Sequence, residues 1–220
     1  MSRKPNIEFD LLSNARDSLR RAVRELAWGD GGSDPSRLKH AILNSAHCIE
    51  LLLKERLRQV NPAFIWENVD KYPSLDARTV TVSTAIARLK NIGGVTFTAN
   101  DERNLRSLSR ARNAIQHYRW EATEKEVKVI LGNALSFAFS FASEGLKTDL
   151  AEEFKEDDTW RSLVEELHEF VRAHGERLEA KLRDKGGYHP TCGNCGYPAV
   201  PPWAGSCELC GHWQGIDDDP

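Results

Sequence analysis

Apolar residues recur at intervals of three and four along most of this chain. Leu12, Ala15, Leu19, Ala22, Val23 and Leu26 form the first such stripe, which predicts an amphipathic helix from Ile7 to about Leu26. GDGGSDPS (29–36) interrupts it, and Pro35 suits the first turn of the next helix. That second helix runs to about Val60, where Asn61–Pro62 ends it. Its expected buried stripe is Leu38, Ala41, Ile42, Ser45, Ala46, Ile49, Leu52, Leu53 and Val60. Residues 63–80 show no period and read as a loop packed on the helices. Residues 82–92 read as a short helix stopped by Gly93–Gly94. Asn100 is the expected N-cap of a third long helix, with Asp101 and Glu102 placed to complement its dipole. A fourth, at about 123–145, turns Val127, Ile130, Leu131, Ala134, Leu135, Ala138 and Phe141 inward; Phe137 and Phe139 make it apolar nearly all round. A last helix from Asp158 to Lys185 carries Leu163, Leu167, Phe170, Val171, His174 and Leu178, with Gly186–Gly187 as a hinge. The strand signals, VTVST (80–84) and GVTFT (94–98), are short. The pattern therefore predicts an all-α fold. An antiparallel bundle fills residues 1–147, a helix and hinge follow over 148–187, and a small tail occupies 188–220.

Composition changes this picture only in what it excludes. Apolar residues make up 40% and charged residues 29%, which rules out a disordered chain. The opening MSRKPNIEFD lacks the apolar core of a signal peptide, and no apolar run approaches the roughly 20 residues that span a bilayer. A cytoplasmic protein with no membrane partner is expected. The net charge of −3 means that any role with nucleic acid needs a local basic patch.

One such patch exists. From Arg103 to Trp120 the third long helix holds five arginines and no acid. At about 100° per residue, Leu105, Leu108, Ala111, Ile115 and Tyr118 fall on the core side. Asn113 and His117, four apart, share an outer face with Arg106 and Arg110. Arg112 lies at the margin of the core stripe, and Arg119 closes the segment. Arginine offers a planar fork for phosphate oxygens and histidine titrates near neutral pH. An RNA strand brings its own nucleophile, the 2′-OH, so these side chains suffice for phosphodiester chemistry without a metal. A solvated helix face explains the same residues without any chemistry.

The string RNAIQH (112–117) resembles the R-x4–6-H motif of HEPN domains, with a polar residue directly after the arginine. HAILNSAHCIELLLKERL (40–57) resembles the second helix of that superfamily, with an acid inside a leucine-rich run. The resemblance covers about residues 8–145. It implies a helical bundle that forms a homodimer and joins two motifs in one basic cleft, and in many members a metal-independent endoribonuclease of toxin–antitoxin, phage-defence or RNA-processing systems. Carried over, Arg112 would bind the scissile phosphate and His117 would act as the acid–base group in attack by the 2′-OH. Asn113 would orient either. Arg106, Arg110 and Arg119 would bind RNA. Other members are non-catalytic interaction modules. Glu50, at the edge of the second helix's stripe, is a supporting residue whose expected partner is either Arg112 or Lys54. His40 and His47 fall on the outer side of that helix, and Cys48 by its core stripe.

The tail carries the sharpest pattern. Cys192, Cys195, Cys207 and Cys210 are two C-x2-C pairs separated by eleven residues, each pair followed by a glycine. Two residues between thiolates let a tight turn aim both sulfurs at one ion. The pattern resembles a zinc ribbon and predicts a structural Zn²⁺ held by four thiolates, with no open position for catalysis. After Lys185 there is no lysine or arginine, while Glu208, Asp217, Asp218 and Asp219 are acidic. Phosphate binding there is disfavoured. Tyr197, Trp203 and Trp213 instead suggest packing on the bundle or contact with a protein partner such as an antitoxin.

Overall fold

The computed structural model describes residues 9–28, 34–155, 158–184 and 189–215. Ile7, Gly186–Gly187 and Asp217–Asp219, singled out above, lie outside them. The fold is all-α. Its elements in chain order are α1 (Leu11–Ala27), α2 (Pro35–Val60), α3 (Val82–Asn91), α4 (Ala99–His117), α5 (Glu124–Gly145), the single turn α6 (Glu152–Lys155), α7 (Thr159–Glu166) and α8 (His168–Asp184). Among the described residues β-structure is limited to two isolated bridges, Trp66 with Thr79 and Ser206 with Trp213. Among the described residues no helix is long and apolar enough to cross a membrane.

α1 and α2 form an antiparallel pair, and α5 lies between α2 and α8. Their stripes meet in one core: Leu19, Val23, Ile42, Ile49, Leu52, Leu53, Leu57, Leu131, Leu135 and Phe170 are essentially closed to solvent. The phenylalanines of α5 divide between two sides. Phe137 and Phe141 stack with Phe97 before α4. Phe139 packs against Trp160, Phe170 and His174. This explains why α5 reads as apolar all round: it is covered on both flanks.

Val60, expected in the buried stripe of α2, is 37% exposed, because it is the last residue of that helix. Three further expectations are corrected. The N-cap of α4 lies two residues before Asn100. Thr98 is the N-cap, because Thr98 Oγ1 accepts from Asp101 N–H at 3.0 Å while Asp101 Oδ2 accepts from Thr98 N–H at 3.1 Å. This reciprocal box satisfies two donors that Asn100 would leave open. Asp101 is thereby buried, and its other oxygen accepts from Arg177 of α8. Secondly, the helix expected over 158–185 is two helices. It breaks at Leu167, whose ψ of 76° is non-helical. The break lets α7 pack on α1 and α8 on α5. Thirdly, Tyr118 is not in the core; it is 92% exposed. α4 ends at His117 and Tyr118 takes φ −156° and ψ −120°, so the helical period that placed it inward stops one residue short. Trp120 packs on the core instead.

Residues 62–80 form the expected packed loop, with two 3-10 turns. Arg88 of α3 fastens it by donating to the carbonyls of Phe64, Trp66 and Glu67 at 2.7, 2.6 and 2.8 Å. Thr81 then caps α3. This fixes segment 79–83 against α2 and α4, where it walls a cleft.

Candidate functional site

The sequence-predicted residues of α4 sit along its solvent-facing edge. Arg106, Arg110, Asn113 and His117 are exposed, and Arg112 is half-buried, as a position at the stripe margin should be. Arg112 Nη1 donates to Asn113 Oδ1 at 2.9 Å, so the two polar residues are already joined. His117 is the last residue of the helix. It makes no side-chain hydrogen bond or ion pair with the described residues.

The basic run is less uniform than its composition suggests. Glu102, just before it, pairs with Arg106 at 3.4 Å and with Lys90 of α3 at 2.6 Å. These contacts, the Lys90 bond first, hold the Glu102 carboxyl below the usual carboxylate range. Glu121, just after the run, pairs with Arg119. Among the described residues, Arg103, Arg110 and Arg112 have no carboxylate partner, and of these Arg110 and Arg112 border the cleft.

Beside them opens a cleft of about 610 Å³ between α2, segment 79–83, α3 and α4. Arg106, Arg110, Arg112 and Asn113 line it together with Glu50, Lys90 and Glu102; His117 lies beyond its lining. Glu50 pairs with Lys54 at 2.6 Å, so of its two expected partners it takes Lys54. Lys54 Nζ also donates to Thr79 Oγ1 at 2.9 Å, which ties α2 to the 79–83 wall. Sequence reasoning passed over Lys90 and residues 79–83. Nothing in their local pattern marks them, because only packing brings them to Glu50 and Arg112.

The remaining titratable residues of α2 are quiet. His40 and His47 are exposed, and His47 Nδ1 lies 2.9 Å from Ser18 Oγ. Cys48 is fully buried, and burial pushes its thiol well above the usual range, so it behaves as a small apolar group.

The four cysteines of the tail converge. All their sulfurs lie within 4.8 Å of one another, with Cys192–Cys210 and Cys195–Cys207 at 3.6 Å. The two knuckles are near copies. Cys192 N–H donates to Tyr197 O at 2.8 Å and Cys207 N–H to His212 O at 2.9 Å. Gly196 N–H donates to Cys192 O and Gly211 N–H to Cys207 O, at 2.9 and 2.8 Å. Gly196 and Gly211 have φ of 75° and 74°, the left-handed turn for which glycine is suited. Backbone N–H groups of Asn194 and Cys210 point at the sulfurs of Cys192 and Cys207, at 3.4 and 3.5 Å. Such amide donors stabilise thiolates, so the group fits a metal ion.

This segment is fastened to the bundle. Trp160 Nε1 donates to Leu209 O at 2.8 Å inside the protein. The Tyr197 ring lies flush on Gly175 of α8, where a Cβ would come within 2.5 Å of it. Cys192, Val200, Cys207 and Leu209 join the bundle core. Trp203 and Trp213, by contrast, are 75% and 60% exposed. Comparison of the chain with protein-family models, with curated proteins and with solved structures gives no match.

Proposed function

We propose that this protein is a metal-independent endoribonuclease of HEPN type, active as a homodimer. The observation that carries the proposal is the free edge of α4. Arg112 and Asn113 are bonded to each other, Arg110 and His117 lie on the same edge, and no described carboxylate neutralises any of them. An uncompensated guanidinium pair attracts a phosphodiester, and an accessible imidazole moves protons near neutral pH. In the reaction, the 2′-oxygen bonds to phosphorus and loses its proton to His117. The P–O5′ bond breaks, and the departing 5′-oxygen takes a proton from a second acid. The products are a 2′,3′-cyclic phosphate and a 5′-hydroxyl. One chain supplies one such histidine, and a second copy supplies the other, which is the reason for a dimer. Arg112 holds the phosphate and Asn113 fixes the guanidinium. Arg106 and Arg119, each paired with a glutamate, contribute less to RNA binding than Arg110.

The four thiolates are assigned to zinc, which favours tetrahedral sulfur sites. Its role is structural: four ligands leave no open position, and the segment is too small to hold a core alone. A reducing, cytoplasmic setting follows from thiolates kept for a metal. A second reading has its own observation. Trp203 and Trp213 stand exposed on a segment without a basic residue, a surface suited to a protein partner such as an antitoxin or a regulatory complex.

The test is cleavage of a pool of structured RNAs in excess EDTA, beside His117→Ala, with zinc content followed in parallel. Cyclic-phosphate ends from the wild type and none from the variant are expected. Absence of cleavage by folded, dimeric protein selects the interaction module.

A further inference from the structure

We infer that the cleft beside Arg112 holds one unpaired guanine, so that RNA is cut on the 3′ side of a guanosine. The inference rests on the nuclease reading for the cut, though not for the binding. The cleft volume of about 610 Å³ accommodates a nucleotide. Apolar side chains from three helices line it: Ile49 from α2, Val82 and Ile86 from α3, and Leu105 from α4. A planar base needs such faces, and it needs polar groups only at its edge.

The edge group is Glu50. Its carboxylate is half-buried in the cleft wall, and Lys54 holds Oε1 at 2.6 Å. Lys54 is itself buried and fixed by Thr79, so the carboxylate is held in one position. Oε2 accepts no recorded bond among the described residues. A fixed carboxylate accepts two parallel N–H donors. Guanine alone among the RNA bases has two adjacent donors on its pairing edge, N1–H and N2–H. The cleft's other carboxylate, Glu102, is engaged by Lys90 and Arg106. On the α4 rim, Arg110 and Arg112 lack carboxylate partners and receive the 3′-phosphate of the same nucleotide. A base in a duplex cannot enter such a slot, so the substrate is a loop or a single strand.

The experiment titrates guanosine 3′-monophosphate and its adenosine, cytidine and uridine counterparts into the full-length dimer by calorimetry. Wild type, Glu50→Gln, Arg110→Ala and His117→Ala are compared. Guanosine is expected to bind at least tenfold tighter than the others. Glu50→Gln, which keeps an acceptor for Lys54, should erase that preference while the affinity for the other three nucleotides and the helical circular dichroism are kept; Tm should fall, because the buried Lys54 ammonium loses its carboxylate. Arg110→Ala and His117→Ala, which remove groups beside the phosphate, should weaken all four nucleotides alike. Equal affinity for the four nucleotides overturns the inference, as does an undiminished preference in Glu50→Gln. Cleavage without guanosine at the cyclic-phosphate ends also removes it while leaving the nuclease intact. Guanosine binding without any cleavage removes the nuclease and leaves the pocket.

Discussion

The cysteine tail and the exposed edge of α4 are both built around a short motif, yet they differ in how their geometry is set. Each cysteine knuckle is closed by hydrogen bonds that reach only four or five residues along the chain. Its motif therefore contains nearly all the information for its shape. The edge of α4 is the opposite case. The helix presents Arg110, Arg112 and Asn113, with His117 beyond them at its end, but the cleft that the first three border is completed by α2, α3 and segment 79–83. Local closure makes a site legible and rigid. Assembly from distant elements makes one that a partner or substrate must finish.

The comparison is broken most severely by removing its defining groups. Cys207→Ser should cost the tail its metal and its fold, since metal binding in such small sites is worth on the order of 10 kcal/mol. Loss of bound zinc, and a shift in Trp160 fluorescence as its bond to Leu209 opens, would report this. His117→Ala should do the reverse. Cleavage should fall by at least ~10²-fold, while Tm stays at the wild-type value because the side chain is exposed and unbonded. A drop in Tm for His117→Ala, or retained zinc in Cys207→Ser, would contradict the contrast.

The next effect lies where the tail docks on the bundle. His174 is buried among Phe139, Trp160 and Phe170, beside the tail's anchoring contacts. Burial, with Arg177 and Lys181 nearby, pulls its pKa down to about 4. The folded state thus resists protonation that the unfolded chain accepts at about 6.5. The neutral ring's contribution is complete above pH 6.5 and is lost as pH falls toward 4, by roughly 3 kcal/mol. Unfolding free energy measured across that window should fall for wild type and much less for His174→Leu. Equal slopes would show that other groups govern acid stability.

The sequence was most informative where neighbours on the chain are neighbours in space. The stripe of α1, that of α2 up to Leu53, the breaker at Asn61–Pro62 and the cysteine spacing all belong to that class; Val60, at the last residue of α2, does not. It was least so where competition between groups decides. Asn100 is a sound cap by type, but Thr98 with Asp101 offers two bonds against one. The break at Leu167 has no glycine or proline to announce it; packing on two different partners imposes it. Glu50 had two equal candidates on helical geometry, and the outcome depended on Thr79, a residue outside either helix. The cleft itself has no signature in the chain.

A smaller effect probes the docking of the tail. Gly175→Ala would place a methyl 2.5 Å from the Tyr197 ring. Neither the helix backbone of α8 nor a ring packed at the edge of a metal knuckle yields easily. A loss of about 1–3 kcal/mol is expected. The knuckles close through their own bonds, so a bound metal ion should be retained. The signature is a lowered Tm with full metal content, and release of metal would show that docking and binding are one event.

The smallest expected effect is Tyr118→Ala. Helical periodicity assigns this ring to the core, where truncation would cost ~3 kcal/mol or more. The structure ends α4 one residue earlier and leaves the ring 92% exposed, so the cost should stay within ~0.5 kcal/mol. Urea unfolding distinguishes the two values readily. The result also bears on the neighbouring histidine. If Tyr118 is free, the end of α4 is free with it, and His117 can reach a substrate or a second chain. A core-like penalty would mean that the helix continues and turns this end inward, and the free edge on which the proposed chemistry depends would be lost.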